Sequence, residues 1–165
     1  METVTTARRL TDEEQKTWRA FARAARLLFA QLERDLSRDA GMAPGAYEIL
    51  VILAEAPRRA MRMSELADAT LSSPSRITHA VERLVELGWV ERATCPSDRR
   101  GWLAVLTDGG HAALVAAAPR HAEHIRAHLF DGLTDDDAAE LRRLCETILA
   151  RLPGGSSPQG GCPAP

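Results

Sequence analysis

The pair Ser73–Pro74 constrains the fold of this chain more than any other feature, because it begins a helix directly after another helical pattern. Serine is a favoured N-cap residue, and proline fits the first helical turn, where its missing N–H breaks no bond. The apolar spacing that follows predicts a helix over 74–87, and Gly88 is typical of a helix end. A short helix capped by Ser64 is predicted before the turn. The apolar face of the 74–87 helix consists of Ile77, Val81, Leu84 and Val85.

Two short strand-like stretches, at 89–94 and 102–106, follow these helices. Residues 95–101 between them are rich in turn-forming residues and predict a hairpin loop. Upstream, a further helix is expected to begin near Ala43–Pro44. This order is that of a winged helix-turn-helix over about 43–107, so we expect a mainly α fold with a small β-wing.

Long amphipathic helices are predicted on both sides of this unit. Thr11 begins a capping-box pattern, and apolar residues then recur every three or four positions over about 11–39. Beyond the wing, an alanine-rich helix extends over about 111–129, and Pro119 is expected to kink or interrupt it. Thr134, followed by three aspartates, begins a last helix. The apolar stripe of that helix consists of Leu141, Leu144, Cys145, Ile148 and Leu152.

Length and composition favour one globular domain. The chain has 165 residues, 45% of them hydrophobic and 27% charged, and we place the domain at 11–152. Residues 1–10 are expected to form a flexible leader, and the glycine- and proline-rich residues 153–165 a disordered tail. No stretch is apolar enough to cross a membrane, no signal peptide is evident and the cysteines are few. These features predict a cytoplasmic protein without a membrane contact.

Charge and motifs narrow the class of function. The net charge is −2, but residues 57–102 carry +2 and the remainder carries −4, a mild contrast that is compatible with a nucleic-acid partner. The sequence has no Gly-x-Ser-x-Gly motif, no phosphate-binding loop, no dinucleotide-binding turn and no His-Glu-x-x-His motif. We therefore expect neither an enzyme nor a cofactor.

The polar face of the 74–87 helix carries groups that can contact DNA. Arg76, His79 and Arg83 follow one another at steps of three and four residues, so they form one row. A recognition helix reads base edges with its N-terminal residues, which leaves a phosphate contact for Arg83. The alternative is an ordinary amphipathic helix with a solvated polar face. The candidate DNA contacts of this helix are Ser73, Ser75, Arg76, His79 and Arg83.

The predicted hairpin loop carries a second set of candidates, Asp98, Arg99 and Arg100. An arginine at the tip of a narrow hairpin can enter the minor groove, where A·T-rich DNA has an enhanced negative potential. Asp98 cannot attract DNA, but its carboxylate could hold Arg100 in place through a charged hydrogen bond. The alternative is a polar turn in which the aspartate is a turn-forming residue.

Three segments resemble the MarR (multiple antibiotic resistance regulator) family of bacterial transcription factors. They are Met63–Ala67, Arg83–Arg92 and Asp98–Gly110, the last with the family's Asp-x-Arg wing pattern followed by a strand and Leu-Thr. The resemblance implies a homodimer that binds a pseudo-palindromic site on double-stranded DNA, usually as a repressor. It also implies that the helices over 11–39 and 111–152 form the dimer.

Members of such a family usually release DNA when a small anionic or aromatic molecule binds between the dimerisation helices and the winged unit. The resemblance makes Trp18, Arg23, Arg26 and Tyr47 the candidate effector contacts. Core packing is the alternative for the two aromatic residues. A solvated or inter-subunit face is the alternative for the two arginines.

Redox or zinc control, and a protein-interaction module without DNA specificity, stay open as alternatives. Relatives that sense peroxide have a cysteine near the start of the first helix, and this chain has none there. His121, His124 and His128 lie on one predicted helical face and could supply zinc ligands, but no other histidine is placed to complete a site. The three cysteines are Cys95 beside the wing, Cys145 on a helical stripe and Cys162 in the tail.

Overall fold

The structure, a computed structural model, describes residues 9–95 and 98–153, with the backbone alone for residue 95 and residues 98–100. The described helices are α1 (Asp12–Ala40), α2 (Ala46–Glu55), α3 (Met63–Ala69), α4 (Pro74–Glu86), α5 (Asp108–Ile125) and α6 (Asp135–Leu149). The described strands are β1 (Ala60–Arg62), β2 (Val90–Cys95) and β3 (Asp98–Leu106). A 3-10 turn at Pro57–Arg59 precedes β1, and a π-helical segment at Arg126–Phe130 continues α5. The predicted mainly α fold with a small β-wing is confirmed.

The three strands form one antiparallel sheet in the order β1–β3–β2. Ala104 in the central strand pairs with Met61 of β1 and with Arg92 of β2. The strand β1 thus anchors the base of the β2–β3 hairpin to the helix-turn-helix. The hairpin is the wing.

The predicted helix starts agree with the cap geometry at three places. The Thr11 hydroxyl accepts from the backbone N–H of Glu14 at 3.2 Å, while the Glu14 carboxylate accepts from the Thr11 N–H at 2.7 Å. This hydrogen bonding lowers the pKa of Glu14. Ser73 caps α4, and Thr134 caps α6. Each cap satisfies N–H groups that have no partner inside the helix.

The hydrophobic core lies between α2, α3, α4, the sheet and the first half of α5. Leu50, Leu53, Leu66 and Val81 are completely buried in it. Gly110 lets α5 approach this core closely, because a Cβ there would overlap the Trp89 carbonyl oxygen. The core therefore fixes the orientation of α4 relative to the wing.

An interruption at Pro119 is wrong, since α5 runs continuously from Asp108 to Ile125. A kink at Pro119 stays a prediction. Proline removes one backbone hydrogen bond and crowds the preceding turn. Leu114 and Ala117, just before the proline, are buried, and α5 packs against α1 and α2. Packing on both neighbours keeps the helix continuous despite the lost bond.

Four smaller expectations also need correction. The short helix begins at Met63 rather than being capped by Ser64, and α2 begins after Gly45 rather than at Ala43–Pro44. Val85 is exposed, because the buried row of α4 consists of Ile77, Val81 and Leu84 only. The predicted loop over 95–101 is shorter, because Cys95 pairs with Asp98 across an irregular register and β3 already includes 98–101.

The last helix, α6, differs from the others because none of its residues is buried. Its apolar stripe is open to solvent in the single chain, and Leu144 and Ile148 are 45% and 47% exposed. Within the described ranges, no helix has the length and apolar character that crossing a membrane requires.

Candidate nucleic-acid interface

The helix α4 separates a buried face from an exposed one. Ile77, Val81 and Leu84 point into the core, and Ser73 closes the helix start by accepting from the Arg76 N–H at 3.4 Å. The opposite face lies open to solvent, at the edge of the molecule beside the wing. All five candidate contacts of this helix are exposed: Ser73, Ser75, Arg76, His79 and Arg83.

Two acidic residues, Glu82 and Glu86, share this exposed face. Glu82 lies 3.2 Å from the His79 ring nitrogen Nδ1 and 3.5 Å from the guanidinium of Arg92 on β2. Arg92 also donates to the Thr78 carbonyl at 3.5 Å. These contacts connect the exposed face of α4 to the wing. Arg92 was not among the contacts predicted from the sequence. The alternation of residues along β2 places its side chain on the exposed side of the strand and could have indicated it.

A groove of about 570 Å³ lies between α4 and the chain around the start of α2. Arg76, His79 and Arg83 line it from α4, and Glu48 lines it from α2. Burial raises the pKa of Glu48, and the nearby charge of Glu33 raises it further. Glu86 also lines the groove from α4, so the two arginines and one glutamate give the α4 side a net positive charge.

The wing places the backbone of Asp98, Arg99 and Arg100 in β3, close to its hairpin end. The directions and partners of these side chains lie outside what the structure describes, and so do the two residues between the strands, 96 and 97. The proposed Asp98–Arg100 contact stays a prediction.

The four candidate effector contacts do not form one site in the described chain. Trp18 is exposed on the first half of α1, with Phe21 as its ring neighbour, and Arg23 and Arg26 are exposed on the same helix. Tyr47 packs on the core, with its ring centroid 4.4 Å from that of His121, and burial raises its pKa. No described hydrogen bond, ion pair or ring contact joins any two of the four.

A cavity of about 220 Å³ instead lies between α1, α5 and Trp89. Arg120, His121 and His124 line it from α5, and Met42 lines it from the loop after α1. The His121 nitrogen Nδ1 is buried there without a hydrogen-bond partner. Burial lowers the pKa of His121, and the neighbouring charge of His124 lowers it further, so a neutral ring is favoured.

Two of the three candidate metal-binding histidines face carboxylates of α1. His128 Nε2 lies 2.7 Å from Asp35 Oδ2, and His124 Nε2 lies 2.7 Å from Asp39 Oδ2. His121 is turned towards Tyr47 instead. The sequence analysis missed Asp35 and Asp39, which are far from the histidines along the chain.

These carboxylates stay charged. Burial alone would raise the pKa of Asp35, but hydrogen bonds from His128 and Gln31 bring it below the usual range. Hydrogen bonds from Arg38 and then His124 strongly lower the pKa of Asp39.

Of the three cysteines, the structure describes the side chain of Cys145 alone. Cys145 is a partly buried free thiol on α6. The Cys95 side chain and the whole of Cys162 fall outside the described residues.

Comparisons with known proteins agree with this architecture. A family model described as MarR family matches residues 40–101. The crystal structure of Sco3205, a MarR family transcriptional regulator from Streptomyces coelicolor in complex with DNA, is 44% identical with a TM-score of 0.81, and the match covers 95% of this chain and 96% of that one. AbsC, a MarR family regulator from the same organism, is 42% identical with a TM-score of 0.78, over 87% of this chain and 97% of that one. The HTH-type regulator YkoM of Bacillus subtilis is 30% identical over 75% of this chain and 78% of its own length.

Proposed function

Because the chain belongs to the MarR family of transcriptional regulators, which are not enzymes, we propose that it binds double-stranded DNA sequence-specifically as a homodimer. The target is a pseudo-palindrome whose half-sites are about one helical turn, roughly 34–36 Å, apart. On such a site the protein acts as a repressor that a small molecule releases.

The exposed face of α4 carries this proposal. Arg76 and His79 lie in its first half, where a recognition helix meets base edges in the major groove. Arg83 lies one turn later and suits a phosphate contact. Ser73 and Ser75 supply further polar groups at the helix start. Sco3205, the relative that shares 44% of its residues, is described in complex with DNA, which supports the same partner here.

The wing supplies the second contact. Arg99 and Arg100 lie towards the hairpin end of β3, and we assign Arg100 to the minor groove with Asp98 as its positioning partner. Arg92 connects the wing to α4 through Glu82, so the two reading elements are held in a fixed relation.

Exposed apolar side chains on the terminal helices support the homodimer. Trp18, Phe21 and Phe29 of α1 are about half or more exposed, and so are several residues of α6. Exposed apolar surface of this extent is typical of an interaction site. A second copy that covers both helices would also set the spacing between the two α4 helices.

The cavity between α1 and α5 supports control by a small molecule. At about 220 Å³ it is smaller than the usual ligand pocket of roughly 300–1,000 Å³, so it fits only a small compound. Asp35 and Asp39 also line it, so of the two effector classes expected from the sequence, an aromatic compound fits the lining better than an anionic one. CouR from Rhodococcus jostii, 25% identical, is described as bound to p-coumaroyl-CoA. An effector here would act by favouring one relation of α1 to the winged unit over another.

Operator selection from random duplex DNA, followed by fluorescence anisotropy, tests the DNA-binding proposal. Arg76→Ala should weaken operator binding by about 1–3 kcal/mol and relax the preference at one position. Arg83→Ala should weaken all sequences alike and, because the dimer loses two phosphate contacts, lower the slope of log K against log salt by about 1.8. Arg143→Ala, on α6, is the matched control and should leave both quantities unchanged.

Two other results would contradict the DNA-binding proposal or one of its assignments. If the purified chain binds no duplex even at low salt, the winged unit is a protein-interaction module and the proposal is wrong. A changed base preference in Arg83→Ala would overturn the phosphate assignment alone.

A further inference from the structure

Three potential metal ligands meet where α5 crosses α1. Asp35 Oδ2 lies 2.7 Å from His128 Nε2 and 3.7 Å from His124 Nδ1, and the three ligand atoms all lie within 4.8 Å of one another. The Asp35 side chain is only 2% exposed, whereas the side chains of His124 and His128 are 13% and 34% exposed. One side of this cluster is buried and the other faces solvent.

The surroundings hold the ligand atoms in place. Asp35 Oδ1 accepts from Gln31 at 3.0 Å and from Arg38 at 2.9 Å, so Oδ2 is the oxygen left for the histidines. His124 turns its other nitrogen, Nε2, towards Asp39 at 2.7 Å. A histidine that binds a metal through one nitrogen commonly donates the other N–H to a carboxylate in this way.

His124 turns one ring nitrogen to each of two carboxylates. Nδ1 lies 3.7 Å from Asp35 Oδ2, and Nε2 lies 2.7 Å from Asp39 Oδ2. In the tautomer whose Nε2–H donates to Asp39, the lone pair of Nδ1 points to the Asp35 side and can bind a metal ion.

We propose that Asp35, His124 and His128 bind one divalent transition-metal ion, with Zn²⁺ as the fitting species. Two imidazole nitrogens and a carboxylate are a common three-ligand zinc set. Ligand atoms about 2.0–2.1 Å from a tetrahedral zinc lie about 3.3 Å from one another, so the present arrangement needs shifts of about 1 Å. The His128 side chain is 34% exposed, so a water molecule could supply a fourth ligand.

The backbone supports the same assignment. His128 lies in the π-helical segment Arg126–Phe130, directly after the α-helical turn that carries His124. Short π-helical segments are rare in proteins, but those that occur are often part of a functional site. The bound ion would join α1 to the end of α5.

Metal titration of the untagged full chain tests this site directly and does not depend on DNA binding. The three cysteines are first replaced by serine, so that no thiolate competes. Co²⁺ should then give visible ligand-field bands of a four-coordinate site at one ion per chain. Zn²⁺ should displace it and raise the melting temperature.

Matched variants locate the ion. His124→Gln and His128→Gln should each abolish the cobalt bands and lower zinc affinity by at least about 100-fold, while circular dichroism verifies the fold. Asp39→Asn, which removes the carboxylate behind His124, should lower affinity by about 10–100-fold with the bands retained. His111→Gln, at the start of the same helix, should have no effect.

Two results would contradict the proposed metal site. Absence of saturable binding of Zn²⁺ or Co²⁺ in the parent would show that Asp35, His124 and His128 form a hydrogen-bonded cluster that holds no metal ion. Binding that survives in the His124→Gln/His128→Gln double variant would place the ion elsewhere in the chain.

Discussion

The winged unit and the terminal helices bury their apolar residues to very different extents. In the winged unit, α2, α3 and α4 bring completely buried leucines and valines together against the sheet. In α6 no residue is buried, and α1 exposes Trp18, Phe21, Leu27 and Phe29. The contrast indicates that the winged unit can form its core within one chain. The terminal helices need another surface to cover their apolar stripes, which the proposed homodimer provides.

The largest expected effect lies in the winged core. Leu50→Ala should lower the free energy of unfolding by about 2–5 kcal/mol, because Leu50 is 0% exposed and the cavity would remain unfilled. Urea unfolding measures it. Leu71→Ala is the matched control, since Leu71 is 89% exposed and its change should stay within about 0.5 kcal/mol. Equal losses at both positions would mean that the winged unit has no core of its own.

The second effect tests the terminal helices. The double substitution Leu144→Asp/Ile148→Asp places two charges on the exposed stripe of α6 and should weaken the proposed dimer by about 2 kcal/mol or more, roughly 30-fold in Kd. Sedimentation velocity over a range of concentrations measures the dimer. The parent's melting temperature should also rise with protein concentration.

Glu146→Gln, on the same helix, is the control for this experiment and should leave the dimer intact. An unchanged dimer in the double variant would show that α6 is not part of the subunit contact. A monomeric parent would leave the apolar stripes of α1 and α6 to a different partner.

The same contrast explains how much the sequence could predict. Thr11, Ser73 and Thr134 marked helix starts correctly, because a cap depends on residues only three positions apart. The predicted interruption at Pro119 was wrong, because the cost of a proline is a local property, whereas the packing that keeps α5 continuous involves α1 and α2. The sequence shows which residues can cap or weaken a helix. It does not show whether packing against helices that are distant along the chain outweighs these local effects.

The candidate sites follow the same division. The row on α4 could be predicted because helical spacing alone puts Arg76, His79 and Arg83 on one face, and they are exposed there. The contact of Asp35 with His128 spans 93 residues, so helical spacing revealed the histidines but not their carboxylate. Sites within one element can be predicted, and sites between elements require the fold.

The smallest expected effect concerns the start of α6, where the helix has little tertiary support. The Thr134 hydroxyl donates to Asp137 Oδ2 at 2.6 Å and accepts from the Asp137 N–H at 3.2 Å. Thr134→Ala should cost about 1 kcal/mol, and Thr134→Ser should restore most of it. Thermal unfolding of the two variants and the parent measures both.

The pH dependence of this cap gives a sharper test than its size. Hydrogen bonds from Thr134 lower the pKa of Asp137 below its ordinary value of 3.8. A carboxyl group whose pKa is lower in the folded than in the unfolded state stabilises the fold at any pH above its unfolded-state pKa. This stabilisation is lost as the pH falls through the folded-state pKa. The difference between parent and Thr134→Ala should therefore be constant near neutral pH and shrink below about pH 4. If the difference instead grows on acidification, the carboxylate does not stabilise the helix start, and the hydroxyl acts through the backbone N–H alone.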